Sequence, residues 1–146
     1  MLSGEYSHNL DVKGRIILPS KLREEIGDTF YVTRGFEGCL AVYSAAEFEK
    51  LGQSIAALPG NMREVRRLQR IIITGAHMCE TDKQGRFVIP PTLREFAALE
   101  KEVVVVGNGT HAEIWDSAKW NDYLYGEDSI SLEEAAETLH DAGLEI

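Results

Sequence analysis

Two short turns with the pattern Asp-x-x-Gly-Arg carry the side chains of this sequence that are best placed to do chemistry. They span residues 11–15 and 82–86, and each also contains a lysine. The planar guanidinium of arginine binds phosphates and the edge of guanine, and a carboxylate four residues earlier can hold that guanidinium in place. The pattern therefore indicates recognition of an anion or of a nucleic acid.

Ion pairing within the turns offers a purely structural alternative. Each aspartate can lock its glycine-containing loop by pairing with the arginine, and charged residues on turns are usually only solvated. Repetition favours a function, because a turn does not require arginine at the same places in both copies. We therefore interpret Arg15 and Arg86 as ligand-binding residues. The residues that would brace the turns are Asp11, Gly14, Asp82 and Gly85.

The two turns belong to a longer duplication. Residues 11–24 return 71 positions later as residues 82–95, and seven of the fourteen positions are identical. Unrelated stretches of ordinary composition would share about one. The chain is therefore a tandem repeat, and each copy must position one turn.

Each turn leads into three apolar residues and a proline, which predicts a short strand that ends at Pro19 or Pro90. A brief helix should follow in both copies. We expect Ser20 to cap this helix in copy one, and Leu93 and Phe96 to form its buried face in copy two.

A hairpin completes the sheet-forming part of each copy. Residues 30–35 and 40–43 in copy one, and 103–107 and 112–115 in copy two, are β-branched and aromatic residues around a glycine-containing turn. This composition predicts two antiparallel strands in each copy. Ser44 then begins a closing helix with a capping-box pattern.

Charge divides the chain into four segments. They are a first repeat at 5–52, a connecting basic helix at 53–75, a second repeat at 76–124 and an acidic C-terminal tail at 125–146, with formal charges of −2, +3, −3 and −7. Most of the net charge of −9 therefore belongs to the tail. Screening limits the reach of that charge to about 8 Å at physiological salt, so a local cationic surface remains possible in an acidic protein.

Composition predicts one globular body. With 146 residues and 44% hydrophobic content the chain can bury a core, whereas a single copy of about 48 residues would be marginal. We therefore expect the two copies to fold on each other. The chain has no run of 18 apolar residues, and its N-terminus lacks the features of a signal peptide, so we expect a cytoplasmic protein.

The sequence contains no recognisable catalytic or metal-binding constellation. Cys39 and Cys79 stand alone, and the four histidines lack metal-ligand spacing. Serine, histidine and aspartate do not form a nucleophile elbow, and no phosphate-binding loop opens a helix. We therefore expect no enzymatic activity, no cofactor and no metal, and we interpret both cysteines as buried or incidental thiols.

The repeated pattern of Asp-x-x-Gly-Arg, an apolar strand, a proline and Leu-Arg resembles the swapped-hairpin DNA-binding module of the AbrB/SpoVT family. Its duplication, after the opening Met-x-x-Gly-x-Tyr, is similar to the MraZ family of bacterial transcriptional regulators. The resemblance covers nearly all of residues 1–124, with both copies matching in order around a connecting helix.

This resemblance implies an α+β fold, mainly β, in which two tandem swapped-hairpin half-modules form one pseudo-twofold barrel with flanking helices. It implies a transcriptional regulator of the division and cell-wall gene cluster that binds double-stranded promoter DNA at short G-rich direct repeats. The subunits would form a ring-shaped homo-oligomer in the cytoplasm, associated with the nucleoid and not with a membrane.

Basic residues around the two turns extend the candidate DNA-binding set. The full set is Arg15, Arg86, Lys13, Lys21, Arg23, Lys83 and Arg94. Copy two has Gln84 in place of Lys13 and Thr92 in place of Lys21. We therefore expect the two copies to bind DNA unequally.

Three questions stay open at the level of sequence. The arginines of the connecting helix can bind DNA, but we favour a structural or subunit-interface role for them. The acidic tail can shield the basic face, dock between subunits or simply remain a flexible acidic end. The alternative to a DNA-binding regulator is a protein-interaction or antitoxin-like module of the same fold.

Overall fold

A computed structural model of the chain describes residues 1–145, which form a mixed α+β fold with an antiparallel sheet flanked by helices. The strands are β1 (Glu5–Asn9), β2 (Arg15–Ile17), β3 (Thr29–Arg34), β4 (Leu40–Ser44), β5 (His77–Glu80), β6 (Arg86–Val88), β7 (Glu102–Asn108) and β8 (His111–Asp116). The α-helices of this part of the chain are α1 (Ser20–Ile26), α2 (Ala45–Ala56), α3 (Arg63–Ile72), α4 (Pro91–Phe96), α5 (Ser117–Tyr125) and α6 (Leu132–Asp141).

Strands from the two copies pair with each other throughout the fold. The larger sheet has the order β1-β7-β8-β4-β3-β5, and β2 and β6 form a separate two-stranded ribbon. Apart from the hairpins β3–β4 and β7–β8, every strand pair joins copy one to copy two. The prediction that the copies fold on each other is therefore confirmed.

The pairings have the register of a twofold axis. In the ribbon, Ile16 is opposite its equivalent Phe87. In the larger sheet, Ala41 of β4 is opposite its equivalent Glu113 of β8. A pair of strands that matches equivalent residues in this way has a local twofold axis at its centre. The two copies are thus related by a pseudo-twofold axis that passes through both pairs.

The larger sheet is open. Its order begins at β1 and ends at β5, and these two strands do not pair with each other. The barrel implied by the family resemblance is therefore not confirmed, whereas the α+β class is.

The ribbon covers one face of the larger sheet and closes the main core. Ile16 and Phe87 are both buried, and the ring of Phe87 lies edge-on to that of Phe30 on β3, with 4.9 Å between the ring centroids. Leu22 of α1 and Leu93 of α4 are buried in the same cluster. Both copies therefore contribute equivalent side chains to one core.

The starts of the helices agree only partly with the sequence predictions. Ser44 caps α2 by accepting a hydrogen bond from the backbone N–H of Glu47 at 3.1 Å, as predicted. Ser20 does not cap α1: it is the first helical residue, and Pro19 occupies the N-cap position without a side-chain hydrogen bond. Phe96 is wrong as a core residue, because it is exposed and Ala97 is buried instead.

The segments outside the repeats are also helical. The connection contains α3, whose N-cap residue Met62 makes no side-chain hydrogen bond. In the tail, Ser131 caps α6 by accepting from the N–H of Glu134 at 3.1 Å, and the last tail residue, Ile146, lies outside the described residues. No helix within residues 1–145 is long and apolar enough to cross a membrane.

Both cysteines are buried and free. Burial raises the pKa of the Cys39 thiol to about 12 and that of the Cys79 thiol to about 11. Both thiols are therefore protonated at neutral pH and pack as small apolar groups.

Truncation of the central ribbon residue tests whether the ribbon is part of the cooperative core. We expect Phe87→Ala to lower the free energy of unfolding by about 3–5 kcal/mol, because it leaves a cavity beside Phe30. Phe36→Ala is the control: Phe36 is exposed, so its loss should change stability by no more than about 0.5 kcal/mol. Urea denaturation measures both, and equal effects would exclude the ribbon from the core.

Candidate nucleic-acid interface

The outer face of the ribbon carries the two arginines singled out by the sequence. Successive side chains of a strand point to opposite sides, and Ile16 and Phe87 point into the core. Arg15, Ile17, Arg86 and Val88 therefore share the opposite side, which we call the ribbon face. Ile17 is 40% exposed and Val88 53% exposed, so the face presents two aliphatic side chains to solvent as well as two guanidinium groups.

The pseudo-twofold axis exchanges the two arginines. Arg15 is opposite Val88, and Arg86 is opposite Ile17. The two arginines are thus diagonal neighbours across the ribbon, a relation that places Cα atoms about 7–8 Å apart. The ribbon face is therefore a compact and nearly symmetric surface.

An aspartate fixes each arginine. Oδ1 of Asp11 accepts hydrogen bonds from the backbone N–H groups of Lys13 and Arg15, both at 2.9 Å, and Oδ2 accepts from Nε of Arg15 at 2.6 Å. Asp82 binds Gln84 and Arg86 in the same way, with the Nε contact at 2.9 Å. The carboxylate therefore closes the turn and orients the guanidinium at once.

The orientation leaves the far end of each guanidinium free. The Nη nitrogens of Arg15 and Arg86 make no hydrogen bond to any of residues 1–145. Because an arginine uses its two Nη nitrogens, or Nη with Nε, for bidentate contacts, each side chain keeps donors available for a ligand.

The same hydrogen bonds shift the titration of the two aspartates. The backbone N–H of Arg15 is the main cause that lowers the pKa of Asp11, and the N–H of Arg86 does the same for Asp82. Both carboxyls therefore stay ionised to a lower pH than an ordinary aspartate does.

Each turn is also contacted by an arginine of the other copy. The guanidinium of Arg23 lies against Gly85, and that of Arg94 lies against Gly14, so that a Cβ atom at either glycine would overlap it. Both glycines have positive φ, +74° at Gly14 and +77° at Gly85, a conformation that side chains rarely adopt. Glycine is thus required here by the backbone and by the close approach of the arginine.

Backbone hydrogen bonds reinforce this contact between the copies. The carbonyl oxygen of Gly85 accepts from the N–H of Leu18 at 2.9 Å, and that of Gly14 accepts from Ile89 at 3.0 Å. Arg23 also donates to the carbonyl of Leu18 at 3.4 Å. Each turn is therefore a joint structure of both copies.

The structure brings most of the candidate basic residues together. Arg94 lies at the first turn beside Lys13 and Arg15, and Arg23 lies at the second turn with Lys83 and Arg86. Lys21 is exposed on α1, but no contact joins it to either turn. Sequence reasoning missed Ile17 and Val88, although the period of two in a strand whose central residue is buried places them on the arginine side.

A groove of about 740 Å³ lies on the other face of the larger sheet. Helices α3 and α5 contribute Leu68 and Trp120 to its walls, and Glu113 lies on its floor. Burial raises the pKa of the Glu113 carboxyl, but hydrogen bonds from His111 and Trp115 outweigh burial, and the net shift is downward. None of the candidate DNA-binding residues lines this groove.

Comparison with known proteins gives a consistent result. The model of the MraZ protein family, whose description likens it to antitoxins, matches the chain twice, at residues 1–71 and 72–142. A transcriptional regulator MraZ from Halothermothrix orenii is 46% identical over 144 residues, covering 99% of this chain and 100% of the relative. Those from Heliobacterium modesticaldum and Carboxydothermus hydrogenoformans are each 45% identical, covering 99% and 97% of this chain and 100% and 98% of their own length.

Replacement of Asp11 and Asp82 by asparagine should change the dependence of the unfolding free energy on pH. The lowered pKa values of Asp11 and Asp82 mean that their stabilisation is present above the ordinary carboxyl pKa of 3.8 and is lost as pH falls through the folded-state values. The difference in unfolding free energy between the wild type and Asp11→Asn/Asp82→Asn should therefore narrow below pH 3.8. Urea denaturation against pH measures it, with Glu49→Gln on α2 as control. A constant difference would contradict the role of these carboxylates.

Proposed function

The chain belongs to the MraZ family, and from that membership we propose that it is a sequence-specific DNA-binding transcriptional regulator. We further propose that the ribbon face enters the major groove and that several copies bind direct repeats in a promoter of the division and cell-wall gene cluster. Such a protein acts without catalysis, in the cytoplasm at the nucleoid. The observation that carries the proposal is the pair of pre-oriented arginines on the ribbon face.

Shape supports this placement. The major groove of B-DNA admits a two-stranded β-ribbon, and β-ribbon proteins read DNA in this way. Arginine binds O6 and N7 of guanine in a bidentate fashion, which suits G-rich repeats. Ile17 and Val88 lie between the arginines and can contact thymine methyl groups at neighbouring base pairs.

Basic residues around the ribbon supply the contacts that position it. Lys13 and Lys83 are exposed at the tips of the two turns, where they can reach phosphates on the two sides of the groove. Arg23 and Arg94 lie against the two turns, and Lys21 is exposed on α1. We assign these three residues to phosphate contacts as well. We assign base reading to Arg15 and Arg86 only.

The distribution of charge makes an acidic protein compatible with this role. Seven of the acids, and none of the bases, lie in residues 125–146. Each Asp–Arg ion pair of the turns has no net charge. The positive charge comes from the other bases at the two turns, which are Lys13, Lys83, Arg23 and Arg94. The local surface that meets DNA is therefore cationic although the whole chain is not.

A single module offers few base contacts, so we propose that assembly supplies most of the affinity. Copies fixed in a ring or curved array can bind consecutive repeats, and linkage of this kind raises affinity by roughly 10² to 10⁴. The pseudo-symmetric body would be the repeating unit of that array.

The family description also favours a second candidate function. Because it likens the family to antitoxins, a protein-interaction module of the same fold would use the groove beside Glu113 instead of the ribbon face. Fluorescence anisotropy at stated salt separates the two functions. A DNA regulator binds its own upstream DNA more tightly than scrambled DNA, whereas an interaction module does not distinguish them.

Substitution of the first ribbon-face arginine tests direct contact with DNA. We expect Arg15→Ala to weaken specific binding by about 1–3 kcal/mol, or about 5- to 150-fold, without change in fold or assembly. Arg86→Ala should weaken it by a different amount, because copy two has Gln84 and Thr92 where copy one has Lys13 and Lys21.

The control for these variants is Lys50→Ala, which removes an exposed base of α2 that pairs with Glu47 at 3.3 Å. Its affinity should match that of the wild type. Native circular dichroism together with unchanged operator affinity in Arg15→Ala would exclude base reading by this residue.

Repeat spacing tests the array. Sites separated by a whole helical turn, about 10–10.5 base pairs, present the same groove face to neighbouring copies, whereas an insertion of about five base pairs turns the second site away. We expect tight binding to phased repeats and its loss after the insertion, together with a large oligomer in light scattering. Equal affinity for one repeat, phased repeats and shifted repeats would leave the array without support.

A further inference from the structure

Helix α3 displays an arginine stripe. Its members are Arg63, Arg66, Arg67 and Arg70, and at 3.6 residues per turn they fall within about 100° of the helix circumference. Arg63 contacts only its sequence neighbour Glu64, at 3.6 Å, and Arg66 donates to the carbonyl of Gly60 at 3.2 Å. Within residues 1–145, no acid of another element pairs with this stripe.

The acidic tail displays the complementary surface. The acids of α6 are Glu133, Glu134, Glu137 and Asp141, which also fall within about 100° of their helix. All four are exposed, and none forms an ion pair within the described part of the chain. Beside them lies an apolar side with Leu132, which is 76% exposed, and Leu139.

The two surfaces lie apart within one chain. Helices α3 and α5 both line the groove beside Glu113. The tail continues from the end of α5, and its residues Asp128 to Ile130 line a concavity together with Ala118 and Lys119 of α5, whereas no residue of α3 lines it. The start of the tail therefore lies on the α5 side of the molecule, and Arg63, Arg67 and Arg70 of the arginine stripe are exposed in their own chain.

The stripe and the tail match in length as well as in charge. At 1.5 Å rise per residue, the arginines extend over about 10 Å of α3 and the acids over about 12 Å of α6. Exposed apolar side chains accompany both: Leu58 and Met62 stand at the start of α3, and Leu132 and Leu139 on α6. Single exposed ion pairs are weak, but several held in one register together with buried apolar area can hold two surfaces together.

We propose that the acidic tail of one copy docks along the arginine stripe of α3 in a second copy, and that this contact links neighbouring copies in the array. The inference rests on the proposed function, since it names the contact between subunits. It assigns the tail to assembly and removes the α3 arginines from DNA binding.

Charge reversal tests the contact in two variants. The helix-reversed chain carries Arg63→Glu, Arg67→Glu and Arg70→Glu, and the tail-reversed chain carries Glu133→Lys, Glu134→Lys and Glu137→Lys. Each variant alone sets like charges against each other, so light scattering at low salt should show its mass falling toward that of a single chain. An equimolar mixture of the two restores both complementary contacts, and the large assembly should return. Glu49→Lys on α2 is the control and should keep the wild-type mass.

The possible results separate this inference from the proposed function. Wild-type mass in both variants would overturn the inference. The inference would also be overturned if the large assembly returned in a chain that carries both reversals but not in the mixture of the two variants, because the tail would then dock on the α3 of its own chain. Loss of single-repeat DNA binding in the helix-reversed chain at unchanged mass would also overturn it, because α3 would then bind DNA. In all three cases specific binding of promoter DNA by the wild type would still support the regulator function.

Circular dichroism checks that the reversed chains are folded, and a salt titration of the wild type does not depend on any variant. If ion pairs between tail and stripe hold the assembly, its mass should fall as salt rises toward about 1 M, where the Debye length is about 3 Å. A mass independent of salt would contradict the contact.

Discussion

The pairing of two three-residue strands, one from each copy, is the interaction on which the rest of the structure depends. Within residues 1–145, neither β2 nor β6 has another strand partner, and strands this short are not stable alone. Their pairing buries Ile16 and Phe87 against Phe30. It also brings each Gly-Arg turn against an arginine of the other copy. The core, the turns and the ribbon face therefore all depend on this pairing, and the candidate site cannot exist without the contact between copies.

The sequence predicted what depends on neighbouring residues. The duplication, the hairpins and the cap at Ser44 followed from local patterns, and all are present. The prediction of a cap at Ser20 was wrong because Pro19 takes the N-cap position, which leaves Ser20 as the first residue inside the helix. The prediction of a buried Phe96 was wrong because Ala97, the equivalent of Ile26 in copy one, is buried instead. The guanidinium carbon of Arg34 lies 5.4 Å from the centroid of the Phe96 ring. The pairing of strands across the copies, and hence the contact of Arg23 with Gly85, could not be predicted, because it joins residues that are too distant in sequence for a local pattern to reveal.

Each ribbon-face arginine uses one part of its guanidinium to hold its own position and leaves another part for a ligand. Nε of Arg15 binds a carboxylate of its own turn, and the Nη nitrogens remain available. Because the aspartate already fixes the side chain, a ligand loses less conformational entropy in ordering it. The same hydrogen bonds explain why two acidic residues accompany a proposed anion-binding surface: each carboxylate is held by N–H groups of the turn and orients its arginine. Acidic residues near the ribbon are therefore compatible with affinity for DNA.

The cross-copy contacts are those that a homodimer of two half-chains would make. Because equivalent residues face each other along the axis, two separate and identical half-chains could make the same contacts as a homodimer. Fusion turned that association into an intramolecular step, which proceeds at any protein concentration. It also released the halves from the identity that a homodimer imposes. Copy two has Gln84 and Thr92 where copy one has Lys13 and Lys21, so the two halves differ at positions where the subunits of a homodimer would be identical. Gly14 and Gly85 cannot differ in this way, because the guanidinium of an arginine from the opposite half lies against each of them.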